Sequence, residues 1–213
     1  MIEVILCDDH ALIRRGIRDT LSDATDIRVV GEASEYGELR TLMRRTRCDV
    51  LVLDINMPGR SGLDVLQVLK DEGAAVRVLI VSMYPQDQYA IRALRAGAAG
   101  YVHKGGDPQE LVQAVRTVAQ GRKYVTPEIA QMLVESLTAP PSESAHERLS
   151  DRELQTLVMI ASGKRLSDIA EELLLSPKTV SVYRARVLEK LGLANNAELT
   201  VYAIRNGLVG QGD

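Results

Sequence analysis

From residue 1 to 121 the chain alternates short, β-branched apolar runs with stretches of helical periodicity. The runs are Ile2–Cys7, Ile27–Gly31, Val50–Leu53, Val76–Val81 and Ala99–Val102. Val50–Leu53 and Val78–Val81 are apolar without alternation, the pattern of strands covered on both faces. Between the runs, Ala11–Leu21, Tyr36–Arg45, Leu63–Lys70, Tyr89–Ala96 and Leu111–Val118 repeat apolar residues at helical spacing. Five strands alternating with five helices predict a parallel sheet wrapped on both faces. Asp107-Pro108-Gln109-Glu110 predicts the start of the fifth helix: a cap, a first-turn proline and a capping-box acid.

Beyond this the pattern changes. Residues 122–138 read as a further helix or two after Pro127, and Ala139-Pro140-Pro141-Ser142-Glu143-Ser144 reads as a linker. From Leu149 onward every apolar repeat is helical. Ser150-Asp151-Arg152-Glu153 is a capping box whose helix runs to Gly163. A short helix follows over roughly Leu166–Leu174. Ser176 caps a third helix with Pro177 in its first turn, ending at Gly192, and a last one covers roughly Ala197–Asn206. The short link between the second and third is that of a helix-turn-helix. The expected organisation is an α/β domain over residues 1–121, a linker with a helical segment over 122–148, and a small all-α domain over 149–213.

Composition narrows the class. Charged residues make up 26% and hydrophobic residues 46%, which excludes a disordered chain. Phe and Trp are absent and the seven Tyr are the only aromatics, so the core must be aliphatic. The formal charge of −3 excludes a uniformly basic coat but not one basic face. Cys7 and Cys48 are too few for a secreted disulfide scaffold and read as reduced thiols. No apolar run reaches the ~18 residues of a membrane span, and acids at Glu3, Asp8 and Asp9 do not suit a signal peptide, so the expected location is cytoplasmic and off the membrane.

Chemistry gathers at one edge of the sheet. Asp8 and Asp9 end the first strand, and Asp54 ends the third. In the flavodoxin-like, doubly wound order 2-1-3-4-5, these strands are neighbours at the switch point where such folds bind ligands. Three carboxylates there repel one another unless a hard divalent cation such as Mg²⁺ lies between them. The Asn56 backbone carbonyl could add a further oxygen. Ser82 ends the fourth strand and Lys104 the fifth, so four strands each deliver a polar group to one edge. Taken singly, an Asp-Asp pair is often a helix cap and a lone lysine a solvated charge. The joint spacing is harder to explain without chemistry.

These residues resemble a response-regulator receiver domain. The matching positions are Asp8-Asp9, Asp54 within Leu53-Asp54-Ile55-Asn56-Met57-Pro58-Gly59, Ser82, and Lys104 within Gly100-Tyr101-Val102-His103-Lys104. The resemblance implies that Asp54 accepts a phosphoryl group from a sensor histidine kinase, while Asp8, Asp9, Asp54 and Asn56 hold Mg²⁺. It implies that Ser82 and Lys104 bind phosphoryl oxygens and that Ser82 and Tyr101 form the switch. The catalysis implied is the domain's own phosphoryl transfer and slow dephosphorylation, not turnover of an external substrate. Gly105-Gly106 after Lys104 departs from the commonest pattern; glycines there permit unusual backbone angles.

The helical domain carries eight acidic and eight basic side chains over residues 150–213, but they are unevenly placed. Ser176–Leu191 holds Lys178, Arg184, Arg186 and Lys190 against Glu189 alone. At about 100° per residue, Val180, Tyr183, Val187 and Leu191 share a buried stripe, which leaves Lys178, Val182 and Ala185 opposite, flanked by Ser181 and Arg186. A small or basic face suits a helix in a ~12 Å major groove. The run from Leu149-Ser150-Asp151-Arg152-Glu153 through Lys178-Thr179-Val180 to Lys190-Leu191-Gly192 resembles the LuxR-type helix-turn-helix. With the receiver, the chain is similar to a full-length response regulator of the NarL/FixJ class. That resemblance implies a promoter-binding transcription regulator, dimeric when phosphorylated, with Lys178, Thr179, Ser181, Val182, Ala185 and Arg186 toward DNA. Leu199 and Tyr202 of the last helix are candidate dimer contacts. Arg165 and Leu166 replace the usual polar start of the preceding helix, which places that start near Ser167.

Two other readings compete. A haloacid-dehalogenase-like phosphatase also phosphorylates an Asp after a strand, but it wants a second acid two residues on, where this chain has Asn56, an amide without acid–base chemistry. Alternatively the helical domain binds protein, not DNA. His10, His103 and His146 are scattered and read as surface or packing residues.

Overall fold

The computed structural model describes residues 1–83, 86–138 and 145–209, with side chains for all of these except 86–88 and 136–138. The Ala139–Ser144 segment read as linker lies outside the described residues. The chain divides into two compact units, Met1–Thr138 and Ala139–Asp213.

The first unit is a five-stranded parallel sheet of β1 (Ile2–Cys7), β2 (Ile27–Ala33), β3 (Val50–Asp54), β4 (Arg77–Ser82) and β5 (Gly100–His103). Its order is β2-β1-β3-β4-β5, as the doubly wound reading requires. The helices between are α1 (Ala11–Ser22), α2 (Tyr36–Met43), α3 (Gly62–Asp71), α4 (Gln86–Ala96) and α5 (Pro108–Ala119). All five residues of β3 are buried, because the central strand has a helix layer on each face. One face packs Val4, Leu6, Val50, Val52, Leu79, Val81 and Val102 against Leu21 of α1 and Leu111, Val112, Val115 and Val118 of α5. By the two-residue alternation of a strand, Ile5, Leu51, Leu53, Ile80 and Tyr101 face the other way, and all five are fully buried.

Strands β2, β3, β4 and β5 end later than their apolar runs. Asp54 pairs with Val81, and Ser82 with His103, so polar residues form the last rungs of the ladder. An apolar pattern stops where side chains become polar; backbone pairing does not. Asp107 caps α5 by accepting from the Gln109 N–H at 2.9 Å, and Pro108 opens the helix. The expected capping box is not completed there: Glu110 turns instead to the Tyr124 hydroxyl. Residues after α5 remain part of this unit. Tyr124 donates its N–H to the Ala99 carbonyl at 2.8 Å and bridges Gly100 on the edge of β5. Helix α6 (Pro127–Thr138) then packs on α4.

The second unit begins with a single 3₁₀ turn, Ala145–Arg148, followed by α7 (Asp151–Ala161), α8 (Leu166–Glu172), α9 (Pro177–Leu191) and α10 (Asn196–Arg205). Ser150 and Glu153 form the expected capping box. Helix α8 starts at Leu166, one residue before Ser167; Arg165 sits at the cap and makes no side-chain capping bond. Helices α7, α8, α9 and α10 share a core of Leu154, Leu157, Ile169, Val180, Val187, Leu199 and Ala203. Leu174, in the α8–α9 turn, is the one non-glycine residue with positive φ, at +50°, among the described residues.

Candidate functional site: an acidic pocket and a basic helix

Asp8, Asp54, Ser82 and Lys104 converge at the carboxyl edge of the sheet, and each is all but sealed from solvent. The Lys104 ammonium lies 2.8 Å from an oxygen of Asp54 and 2.8 Å from one of Asp8. One cation thus faces two buried carboxylates. The Asp54 oxygens have only Lys104 and the Asn56 backbone N–H beside them, and the Asn56 side-chain oxygen is buried without a hydrogen-bond partner among the described residues. Burial pushes the Asp54 carboxyl up to about 6; Asp8 adds to the shift, while Lys104 and the Asn56 backbone N–H pull against it. A buried acid pair, one shared ammonium and an orphaned oxygen make a site short of positive charge.

Donor atoms of Asp8, Asp9, His10 and Asp54 all lie within 4.8 Å of one another. The oxygen donors fit a hard divalent cation, which would supply the positive charge that the buried carboxylates of Asp8 and Asp54 share only with Lys104. His10 has the exposed ring expected of a surface residue, but its ring nitrogen is 2.7 Å from Asp9, and its backbone N–H donates to Asp8 at 2.8 Å. Its signal was its place directly after the acid pair.

The loop that carries Asn56 is held by contacts that the sequence reading did not single out. Gly62 N–H donates to the Ile55 carbonyl at 2.8 Å, and a Cβ at Gly62 would sit 2.0 Å from the Asp54 carbonyl oxygen. Only glycine lets α3 start this close to the site. Ser61 and Asp64 form a capping box that fixes the same turn. Gly59 takes a φ of +73° to reverse the chain. The Arg60 guanidinium lies 4.9 Å over the Tyr36 ring, which ties the loop to α2.

Tyr101, the proposed switch aromatic, is fully buried. Gly105 and Gly106 do not use the left-handed region that their presence suggested. They serve close approach instead: a Cβ at Gly105 would lie 3.0 Å from the His103 ring.

In the second unit, Ser176 caps α9 by accepting from the Thr179 N–H at 3.1 Å. Val180 and Val187 are buried, and Tyr183 and Leu191 half-buried, as the stripe predicts. Lys178, Ser181, Val182, Ala185 and Arg186 are exposed; Thr179 is half-buried and its hydroxyl meets Ser176 at 2.8 Å. The four cations of this segment divide into two pairs. Arg184 donates to Asn196 at 2.5 Å, and Lys190 pairs with buried Glu153 at 2.6 Å, so both hold the domain together. Lys178 and Arg186 remain outward. Leu199 is fully buried and so cannot offer the dimer contact expected of it; Tyr202 is half-buried, its hydroxyl against His146. Val201 and Ile204 are the exposed apolar residues of α10.

Comparison with known proteins follows the same division. The family model of the response regulator receiver domain matches residues 4–116, and that of bacterial regulatory proteins of the luxR family matches residues 147–203. The chain belongs to the response regulators that join a receiver to a LuxR-type DNA-binding domain. It is 42% identical over 209 residues to response regulator UvrY of Escherichia coli, covering 98% of this chain and 96% of that one. It is 39% identical over 210 residues to response regulator GacA of Pseudomonas aeruginosa, covering 98% of each. Among solved structures it is similar to response regulator ChrA of a heme-sensing two-component system, at 32% identity, TM-score 0.53 and 98% coverage of both chains. It also resembles RcsB of Salmonella enterica serovar Typhimurium bound to a promoter with a phosphomimetic, at 26% identity, TM-score 0.64 and coverage of 94% and 97%.

Proposed function

We propose that the chain is a transcription regulator whose DNA binding is set by phosphorylation of Asp54. The observation that carries this reading is the convergence of Asp54, Asp8 and Lys104 within hydrogen-bonding distance in a buried pocket. The donor is a sensor histidine kinase: its phosphohistidine N–P bond breaks as an Asp54 oxygen bonds to phosphorus, and the imidazole leaves. Lys104 holds positive charge beside the equatorial oxygens of a loose transition state, and the Ser82 hydroxyl donates to one of them. Asp8, Asp9, Asp54 and Asn56 would hold Mg²⁺, which when bound supplies the charge neutralisation that Lys104 alone does not. Catalysis is confined to this transfer and to slow hydrolysis by water; no external substrate is turned over.

The added charge of roughly −1.5 to −2 at one edge of a packed sheet shifts Ser82 and Tyr101 and, through them, the β4–β5 face. The partner of the second unit is double-stranded promoter DNA, entered by α9 and read by two chains as a homodimer. RcsB bound to promoter DNA with a phosphomimetic, and RcsB dimers on DNA, support this reading. The chain works in the cytoplasm; no helix among the described residues is long and apolar enough to cross a membrane.

The test is incubation of the full chain with Mg²⁺ and acetyl phosphate, followed by mass spectrometry and titration of a two-half-site duplex. Labelling at Asp54, its loss in Asp54→Asn and in excess chelator, and tighter duplex binding after labelling are expected. Undiminished labelling of Asp54→Asn would overturn the reading.

A further inference from the structure

His103 is read from sequence as a surface or packing residue, yet both of its ring nitrogens meet backbone groups. It is the last residue of β5 and pairs in register with Ser82. Its Nε2 lies 3.1 Å from the Met83 carbonyl oxygen, and its Nδ1 accepts from the Gly105 N–H at 3.1 Å. An N–H donor at Nδ1 and a carbonyl acceptor at Nε2 admit one arrangement: a neutral ring with its proton on Nε2. The ring therefore links the residue after Ser82 to the residue after Lys104. A third bond joins the same two segments, from the Lys104 N–H to the Ser82 carbonyl at 2.9 Å.

Gly105 belongs to this arrangement. A Cβ there would stand 3.0 Å from the ring's Cε1 and 3.2 Å from Nδ1, closer than side chains normally pack. The glycine is what lets the ring reach the backbone N–H behind it.

We propose that His103 is a positioning residue for phosphoryl transfer, clamping the β4 and β5 ends so that Ser82 and Lys104 are presented to Asp54 as one unit. The inference rests on the reading of Asp54 as the phosphoryl acceptor. The ring touches neither Asp54 nor the phosphoryl group; it acts through the backbone on either side of the two residues that do. A shift in Met83 as Ser82 moves is felt at Gly105 through a rigid imidazole, which couples the two loops.

The clamp divides into two halves that separate variants can test in the full chain. His103→Asn keeps an acceptor for the Gly105 N–H and loses the donor to Met83. His103→Gln keeps that donor and loses the acceptor. His103→Ala loses both. Losing one net hydrogen bond should speed exchange of the Gly105 amide about 3- to 10-fold in His103→Gln and His103→Ala, but not in His103→Asn. Labelling by saturating acetyl phosphate should slow about 3- to 10-fold in His103→Ala, with partial recovery in Asn and Gln. Gly105→Ala should slow labelling when His103 is present and add nothing in the His103→Ala background, because the crowding partner is gone. A merely structural role predicts additive effects and equal exchange in Asn and Gln. Wild-type labelling with additive or absent variant effects overturns the clamp alone. Absent labelling of Asp54 in the wild type overturns the phosphoacceptor reading and the clamp with it.

Discussion

In the sheet-based unit the side chains assigned to chemistry are among the least exposed in the chain, with Asp54 at 2% and Lys104 at 3%. In the helical unit the side chains assigned to reading DNA stand in solvent, and apolar Val182 is itself 43% exposed. The difference follows from what each must do. Moving a phosphoryl group needs charges held in low dielectric, where each carboxylate must find its cation or an ion. Reading base edges needs groups that stay free until DNA arrives. Substitutions in the first unit should therefore damage fold and function together, whereas those on the outer face of α9 should change binding and leave stability alone.

The largest expected effect is at Gly62. Gly62→Ala places a carbon 2.0 Å from the Asp54 carbonyl, so β3 or α3 must move. Labelling should vanish, and the unit should lose about 1–3 kcal/mol in a urea titration. Gly59→Ala sharpens the point: its new carbon meets nothing within 4 Å, so only the +73° φ is penalised, and labelling should persist.

Next comes Lys104→Met, which keeps the stem and removes the cation shared by Asp8 and Asp54. Labelling should fall about 10²- to 10³-fold, as for loss of a preorganised electrostatic donor. Retention of full rate would mean that the ammonium is structural only.

Glu153 offers a third, smaller effect and breaks the contrast from within the helical unit, since it is a buried acid away from any DNA face. Burial alone would raise its carboxyl, but Lys190 and the Ser150 backbone N–H prevail and hold it below the usual range. A depressed folded value means that its stabilisation is complete above the ordinary Glu value of ~4.3 and is lost as pH falls through the folded value. Glu153→Gln should cost about 1.5 kcal/mol at neutral pH, so acid unfolding of this unit should begin at a higher pH, and the deficit should shrink as pH falls through the folded value.

The smallest effects separate two outward residues of α9. Lys178→Ala should weaken binding on all duplexes by ~1 kcal/mol and flatten the salt slope. Val182→Ala should instead change the preferred sequence, because a methyl-bearing side chain reads base edges and cannot anchor phosphate. Titration at two salt concentrations on a selected and a scrambled duplex checks both. Identical behaviour to wild type in all four conditions would favour a protein partner for this face.

Much of this was legible because the signals were local. The parallel sheet followed from alternating runs, its order from the flavodoxin-like pattern, and the pocket from polar residues closing those runs. What was not legible depends on approach in space. Gly62 looks like any loop glycine until the Asp54 carbonyl is placed against it. Arg184 and Lys190 look like part of one basic face, since helical spacing cannot reveal that Asn196 and Glu153 capture them from other helices. Residues 122–138 read as a helical segment of the linker, because periodicity does not show what a helix is attached to, while the pairing of Tyr124 with Gly100 shows the chain still tied to the sheet.

The capture of Arg184 and Lys190 has a further consequence. Both anchors lie in the middle and last turns of α9, while its outward cations and Val182 lie nearer the start or between them. The helix is thus fixed from behind like a blade in a handle, and its orientation is set during folding, not during association. Docking then forfeits little conformational entropy in the reader itself. The heat-capacity change on binding should reflect the area of the contact and any ordering of the DNA, without the extra burial that accompanies a helix forming on its target.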